Sequence, residues 1–172
     1  MNKRLKTLTK GIADVSPLMI PVVPFGIIFG VISMELGLSP YMTFGMSVII
    51  FGGASQIVLL QLFSGGASSL VILSSVGAVN ARHVLYGAVL SEHLSSLKLS
   101  WKIILSYVMT DQAFAVSNNY FKKNNRDSNQ HYHLLGSGFT CWTIWQSSTI
   151  LGIVLGSIVP EELGLSFTIS LT

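Results

Sequence analysis

The chain has 172 residues, half of them hydrophobic and 10% charged, with a net charge of +3 and a mean hydropathy of +0.62. Soluble domains carry about 25% charged residues, so this composition excludes an ordinary water-facing exterior and points to a membrane protein. The basic residues gather at Lys3, Arg4, Lys6 and Lys10 and at Lys122, Lys123 and Arg126 with no alternating aromatics, which speaks against nucleic-acid binding, and the one cysteine, Cys141, excludes an intrachain disulfide.

A hydrocarbon core about 30 Å thick takes about 20 helical residues, and five apolar runs approach or exceed that length. The first, residues 15–36, follows the four N-terminal basic residues and contains Pro17, Pro21 and Pro24. Its length, its prolines and the lack of an A-x-A site separate it from a cleaved signal peptide. Pro21 and Pro24 each remove a helical N–H and are expected to break the span. Gly26 and Gly30 have the spacing of a close helix contact.

The second run, 41–63, contains Gly52-Gly53-Ala54-Ser55-Gln56, where two glycines precede two polar side chains at membrane depth. The third, 68–91, carries Asn80, Arg82 and His83, and the fourth, 101–121, carries Asp111. The fifth, 134–158, holds Trp142 and Trp145, which read as packing or interface residues. None of the runs alternates with a period of two, so helices are expected rather than barrel strands. The predicted fold is all-α: a polytopic integral membrane helix bundle forming one domain over 1–172, with about five spans, some broken at Gly52, Gly53 and the prolines.

Residues 161–172 read as an external turn entering the start of a sixth span, and a C-terminus cut short relative to a longer parent is expected. His131 and His133 stand two apart in a polar loop, expected to be solvated, with too few neighbours for a metal site. Lys and Arg mark cytoplasmic loops. A cytoplasmic N-terminus puts seven basic residues inside and two, Lys98 and Lys102, outside.

A charged side chain at the bilayer centre costs about 2.5–3.5 kcal/mol on insertion scales. Counted from span ends at Ser91 and Trp101, Arg82 and Asp111 lie about 14 Å and about 15 Å deep at 1.5 Å per residue. Two opposite charges at one depth on adjacent antiparallel spans should pair, directly or through substrate. Asn80 and Arg82 are about 200° apart on a regular helix. Either the helix unwinds there or the two faces serve different tasks.

The stretches Pro24-Phe25-Gly26 with Gly30, Gly53-Ala54-Ser55-Gln56, Asn80-Ala81-Arg82-His83-Val84-Leu85-Tyr86-Gly87 and Thr110-Asp111-Gln112-Ala113-Phe114 resemble the AzlC/YgaZ-type branched-chain amino acid permeases. The resemblance runs from about Ile12 to Gly164, and Asn-x-Arg-His-x-x-Tyr-Gly is its most specific piece. It implies a cell-membrane subunit that exports branched-chain amino acids with a small multi-span partner of the AzlD/YgaH type. The family commonly has Asp-Glu where this chain has Asp111-Gln112, and its members run longer.

On this reading Ser55, Gln56, Asn80, Arg82 and Tyr86 are candidate substrate-binding residues, and His83 and Asp111 candidate proton-coupling residues. Coupling is expected from an ion gradient, since no Walker A sequence is present, and no cofactor or metal is called for. Two other classes were weighed against transport. A non-transporting scaffold or assembly subunit is one. An intramembrane serine hydrolase built on Ser55 and His83 is the other, although Gln56 stands where a nucleophile elbow has glycine.

Overall fold

A computed structural model of the chain describes residues 2–124 and 128–158. The expected start of a sixth span lies outside the described residues. Those described form helices and turns, with no strand among them. In order they are α1 (Lys3–Val15), a 3₁₀ turn (Ser16–Met19), α2 (Val22–Glu35), α3 (Pro40–Ile50), α4 (Gly53–Ser64), α5 (Ser69–Asn80), α6 (Arg82–Leu94), α7 (Leu99–Tyr107), α8 (Asp111–Lys123) and α9 (His131–Ile158).

Four of the five expected runs are divided. Residues 41–63 fall on α3 and α4, 68–91 on α5 and α6, and 101–121 on α7 and α8, while 15–36 begin in the 3₁₀ turn and continue into α2. Among the described residues α9 alone is long and apolar enough to cross a membrane as one helix. The pair Lys3–Met19 and Val22–Glu35 passes the same measure together, if it is one broken span.

The breaks have local causes. α1 gives way to the 3₁₀ turn at Ser16, with Pro17 early in that turn, and Pro21 then occupies the N-cap of α2. Pro24 falls in the first turn of α2 rather than at a break. That corrects the expectation for Pro24: a first-turn N–H has no intrahelical acceptor to lose. Phe51 ends α3 in the left-handed region at φ 37°, uncommon and costly for a bulky residue, and Gly52 follows in an extended conformation. α8 begins at an unforeseen break, where the Thr110 side chain caps the helix by accepting from the Ala113 N–H at 3.3 Å.

The chain forms two compact units. The first comprises the described residues of Met1–Ile20 and Ala81–Ile144, and the second those of Pro21–Asn80 and Trp145–Thr172. The chain therefore passes between units at the Pro21 break, at the Asn80–Ala81 break and midway along α9.

Glycines set the closest approaches in each unit. In the first, a Cβ on Gly11 would stand 2.2 Å from the His133 carbonyl oxygen, and one on Gly136 would stand 2.3 Å from that of Leu8, so α1 and α9 touch backbone to backbone. In the second, Gly26 and Gly30 of α2 face Ser148, Thr149 and Gly152 of α9, the small-residue contact expected of that pair. Val15, Leu90, Phe121 and Leu134 fill the first unit's core, and Phe29 and Leu60 that of the second.

The distribution of polarity is the reverse of a soluble protein's. Tyr41 is 91% exposed, Ile49 80% and Leu70 77%, while Ser33, Thr43, Ser47, Ser55, Gln56 and Thr149 are wholly buried. Apolar exposure on this scale requires lipid or another protein to cover it. Small polar residues at helix contacts are how membrane helices pack.

Candidate functional site

The sequence-predicted residues divide between the two units. In the first, Arg82 opens α6 just after the break, and its Nη1 lies 3.0 Å from Asp111 Oδ2. Asp111 opens α8, where the helix dipole favours a carboxylate. Tyr86, one turn along α6, donates its hydroxyl to Asp111 Oδ1 at 2.8 Å. The Tyr86 ring is fixed by stacking on Phe114, centroids 4.3 Å apart, and His83 meets its other side edge-on at 5.7 Å.

Both oxygens of Asp111 are thus engaged by Arg82 and Tyr86. The pair is neither sealed nor fully wetted: the two charged side chains are 32% and 40% exposed, while Arg82 Nε is buried with no hydrogen-bond partner. A cleft of about 280 Å³ is lined by Gly87, Leu90, Leu94, Leu105, Met109 and Leu134, together with Ser91, Ser95, Ser106 and Lys102. Gly87 follows Tyr86 in the chain, and Met109 precedes Asp111 by two residues. Leucines and Met109 give the cleft its apolar part, and hydroxyls and Lys102 its polar part.

In the second unit, α4 starts at Gly53 with no side chain capping it. Ser55 donates its hydroxyl back to the Gly52 carbonyl at 2.8 Å. Gln56 is wholly buried, and neither its Oε1 nor its Nε2 has a partner. Asn80 ends α5 with its Oδ1 3.1 Å from where a Gly52 Cβ would stand. Gly53 lies against the Trp145 ring, which a Cβ would meet at 2.9 Å.

Four residues of this unit went unread in the sequence as a set. Trp145 donates its Nε1–H to Ser47 Oγ at 2.9 Å, Gln146 donates to the Ser47 carbonyl at 3.3 Å, and Thr149 Oγ1 is 3.4 Å from Ser47 Oγ. Trp145 packs as expected, buried and stacked on Phe29 with centroids 6.1 Å apart, and its Nε1–H also joins a buried polar cluster. Its partners lie about a hundred residues back, so nothing local announces them.

The expectation for His131 and His133 is overturned. Both are buried in the first turn of α9, and His133 is wholly so. His133 Nε2 lies 3.1 Å from Asp14 Oδ2, and its Nδ1 lies 3.0 Å from Ser117 Oγ. α1 and α9 meet backbone to backbone beside this cluster at Gly11 and Gly136. Polar residues flanking an apolar run read as loop in the sequence, whereas α9 extends through them.

Apart from α1, these elements fall inside a recognised family region. A family model described as AzlC protein matches residues 17–159. The chain belongs to the AzlC family. It is 32% identical over 152 residues to the inner membrane protein YgaZ of Escherichia coli (strain K12), covering 88% of this chain and 62% of the relative. It is 31% identical over 148 residues to an uncharacterized membrane protein of Archaeoglobus fulgidus, covering 86% and 62%. The branched-chain amino acid transport protein AzlC of Bacillus subtilis (strain 168) is 26% identical over 176 residues, covering 99% of this chain and 67% of that one. The chain spans about three-fifths of the length of the first two relatives. No solved structure matches it. Relatives named as membrane proteins and the polarity pattern agree, and this AzlC-family chain is a membrane protein.

Proposed function

We propose that the chain is the large subunit of a secondary exporter of branched-chain or similar hydrophobic amino acids, driven by an ion gradient. The observation that supports this best is the Arg82–Asp111 pair at the starts of two half-helices, with Tyr86 on the same carboxylate. A zwitterionic amino acid carries both of those charges in one small molecule. Its carboxylate replaces Asp111 at Arg82 and Tyr86, and its ammonium takes the released Asp111. Every charge stays partnered through the exchange, which matters because an unpaired charge in low dielectric is costly. Arg82 Nε is one further donor for the incoming carboxylate. The neighbouring cleft of about 280 Å³ receives the aliphatic side chain.

Within the second unit, Ser55, Gln56 and Asn80 form a polar set of their own at the start of α4, where neither polar group of the Gln56 side chain has a partner. Half-helices whose ends meet at membrane depth are the usual substrate sites of secondary transporters. On this reading α1–α2, α3–α4, α5–α6 and α7–α8 are each one broken span, and the N-terminus is cytoplasmic. Lipid and a small multi-span AzlD/YgaH-type subunit cover the exposed apolar faces. The name of the Bacillus relative supports the substrate class. No catalytic role is assigned, since the Ser55 hydroxyl is committed to the Gly52 carbonyl.

The test is efflux. Vesicles containing the chain and its co-expressed small subunit, loaded with labelled leucine or valine, should empty faster than protein-free vesicles, and faster still under a pH gradient. Equal rates with and without protein would reject transport.

A further inference from the structure

The buried cluster around His133 is not used by the exchange at Arg82 and Asp111. It joins three helices of the first unit. From α1 come Lys10 and Asp14, which form an ion pair one turn apart. From α8 come Ser117 and Tyr120, and from α9 come His133 and Ser137. His133 Nε2 meets Asp14 Oδ2 at 3.1 Å, His133 Nδ1 meets Ser117 Oγ at 3.0 Å, and Ser117 Oγ meets Ser137 Oγ at 3.1 Å. Ser137 Oγ also lies 3.2 Å from the Leu134 carbonyl oxygen. The Tyr120 ring stacks on the imidazole, centroids 4.1 Å apart. His133, Ser117 and Ser137 are wholly buried, whereas Asp14 is 28% exposed and links the chain of groups to the surface.

This chain of hydrogen bonds can be satisfied with the imidazole neutral or charged. With a neutral ring, Nε2–H donates to Asp14, Ser117 donates to Nδ1, and Ser137 donates to Ser117. With a charged ring, Nε2–H still donates to Asp14, but Nδ1–H donates to Ser117. Ser117 then turns its proton to Ser137, and Ser137 turns its own to the Leu134 carbonyl. Two hydroxyl rotations separate the states, and neither leaves a ring nitrogen or hydroxyl proton without a partner. Hydroxyl protons are free to rotate in this way. A buried histidine kept only for packing needs one such arrangement; this one is provided with both.

We propose that His133, held by Asp14 and the Ser117–Ser137 pair, is the seat of the transported proton. The inference rests on the transport reading above, and it moves proton coupling away from His83 and Asp111. Uptake takes one proton from water and forms one N–H bond at Nδ1, while Nε2–H stays on Asp14 throughout; release breaks that bond and returns the proton to water. Asp14 balances the imidazolium, and Lys10 opposes it from the far side of Asp14. Tyr120 is the other titratable group facing the ring. The order carboxylate, imidazole, hydroxyl is also that of a hydrolase triad, but Ser117 is sealed between helices and no acyl group could reach it.

Two measurements on the reconstituted complex test the proposal. The first compares leucine accumulation driven by a pH gradient with leucine exchange at equal pH. His133→Gln should lower the ratio of driven accumulation to exchange by about tenfold, a usual size for coupling between two ligands, and Asp14→Asn should lower it in the same direction. A ratio unchanged in both variants would overturn the proposal. The second is nitrogen NMR of the His133 ring in lipid nanodiscs, which needs no transport. The ring should take up one proton as the pH is lowered across the range in which the complex stays folded, and Ser117→Ala should shift that midpoint. A ring that stays neutral across the range overturns the proposal even if leucine is transported. A ring that titrates in a complex that moves no leucine would instead defeat the transport reading.

Discussion

Arg82→Ala and Asp111→Ala, made singly, are each expected to lower stability by about 1–2 kcal/mol, and the double variant by less than their sum. Fully buried pairs lose about 3–5 kcal/mol when one partner is removed. The smaller figure applies here because both side chains are about a third exposed. Asp111→Ala leaves the guanidinium at the start of α6, where the helix dipole repels it, and leaves Tyr86 without its acceptor. Removing both charges removes that penalty. Thermal unfolding of the four proteins in one detergent gives the cycle, and strictly additive losses would show that the two groups do not interact. Both single variants should also lose leucine flux, since each leaves one end of the zwitterion without its counter-charge.

Gly152→Leu and Gly30→Leu should be more damaging still, each costing more than about 3 kcal/mol and preventing the second unit from packing. The Cβ of residue 152 would stand 2.2 Å from the Ile27 carbonyl oxygen, and that of residue 30 would stand 2.6 Å from that of Thr149. Those neighbours are backbone, so no rotamer relieves the clash and α2 must move away from α9. The displacement would also disturb Trp145 and Thr149, which hold Ser47. Gly45→Ala and Gly77→Ala are the controls. Each lies within a helix with nothing near the new methyl group, so each should be neutral or stabilise by up to about 1 kcal/mol. Folded yield and unfolding temperature separate the two pairs; folded Gly152→Leu protein of ordinary stability would contradict the packing described.

Arg82 and Asp111 were legible in the sequence because the bilayer makes isolated charges costly and depth can be counted along a helix. The break between Asn80 and Arg82 was legible as an alternative, since one regular helix could not turn both to one place. The break before α8 was not. It contains neither glycine nor proline, and the Thr110 cap is a short polar signal inside a run whose average hydropathy hides it. Averaging across breaks also made each pair of half-helices read as one span. Asp14 and His133 were missed for another reason. His133 stands among polar residues before an apolar run and so reads as solvated loop, and its partnership with Asp14, 119 residues away, exists only once α1 lies on α9. Ser47 and Trp145 share that difficulty. A polar residue's neighbours along the chain say little about what it meets across a helix contact.

The account turns on an amino acid being held by both of its charges at Arg82 and Asp111. Competition against labelled leucine in exchange across vesicles tests this most directly. Leucine should compete fully, while isocaproate, which lacks the amine, and isopentylamine, which lacks the carboxylate, should each be weaker by about tenfold or more, because each leaves one half-buried charge without a partner. If either analogue competes as well as leucine does, the exchange of partners at Arg82 and Asp111 is not how this protein holds its substrate.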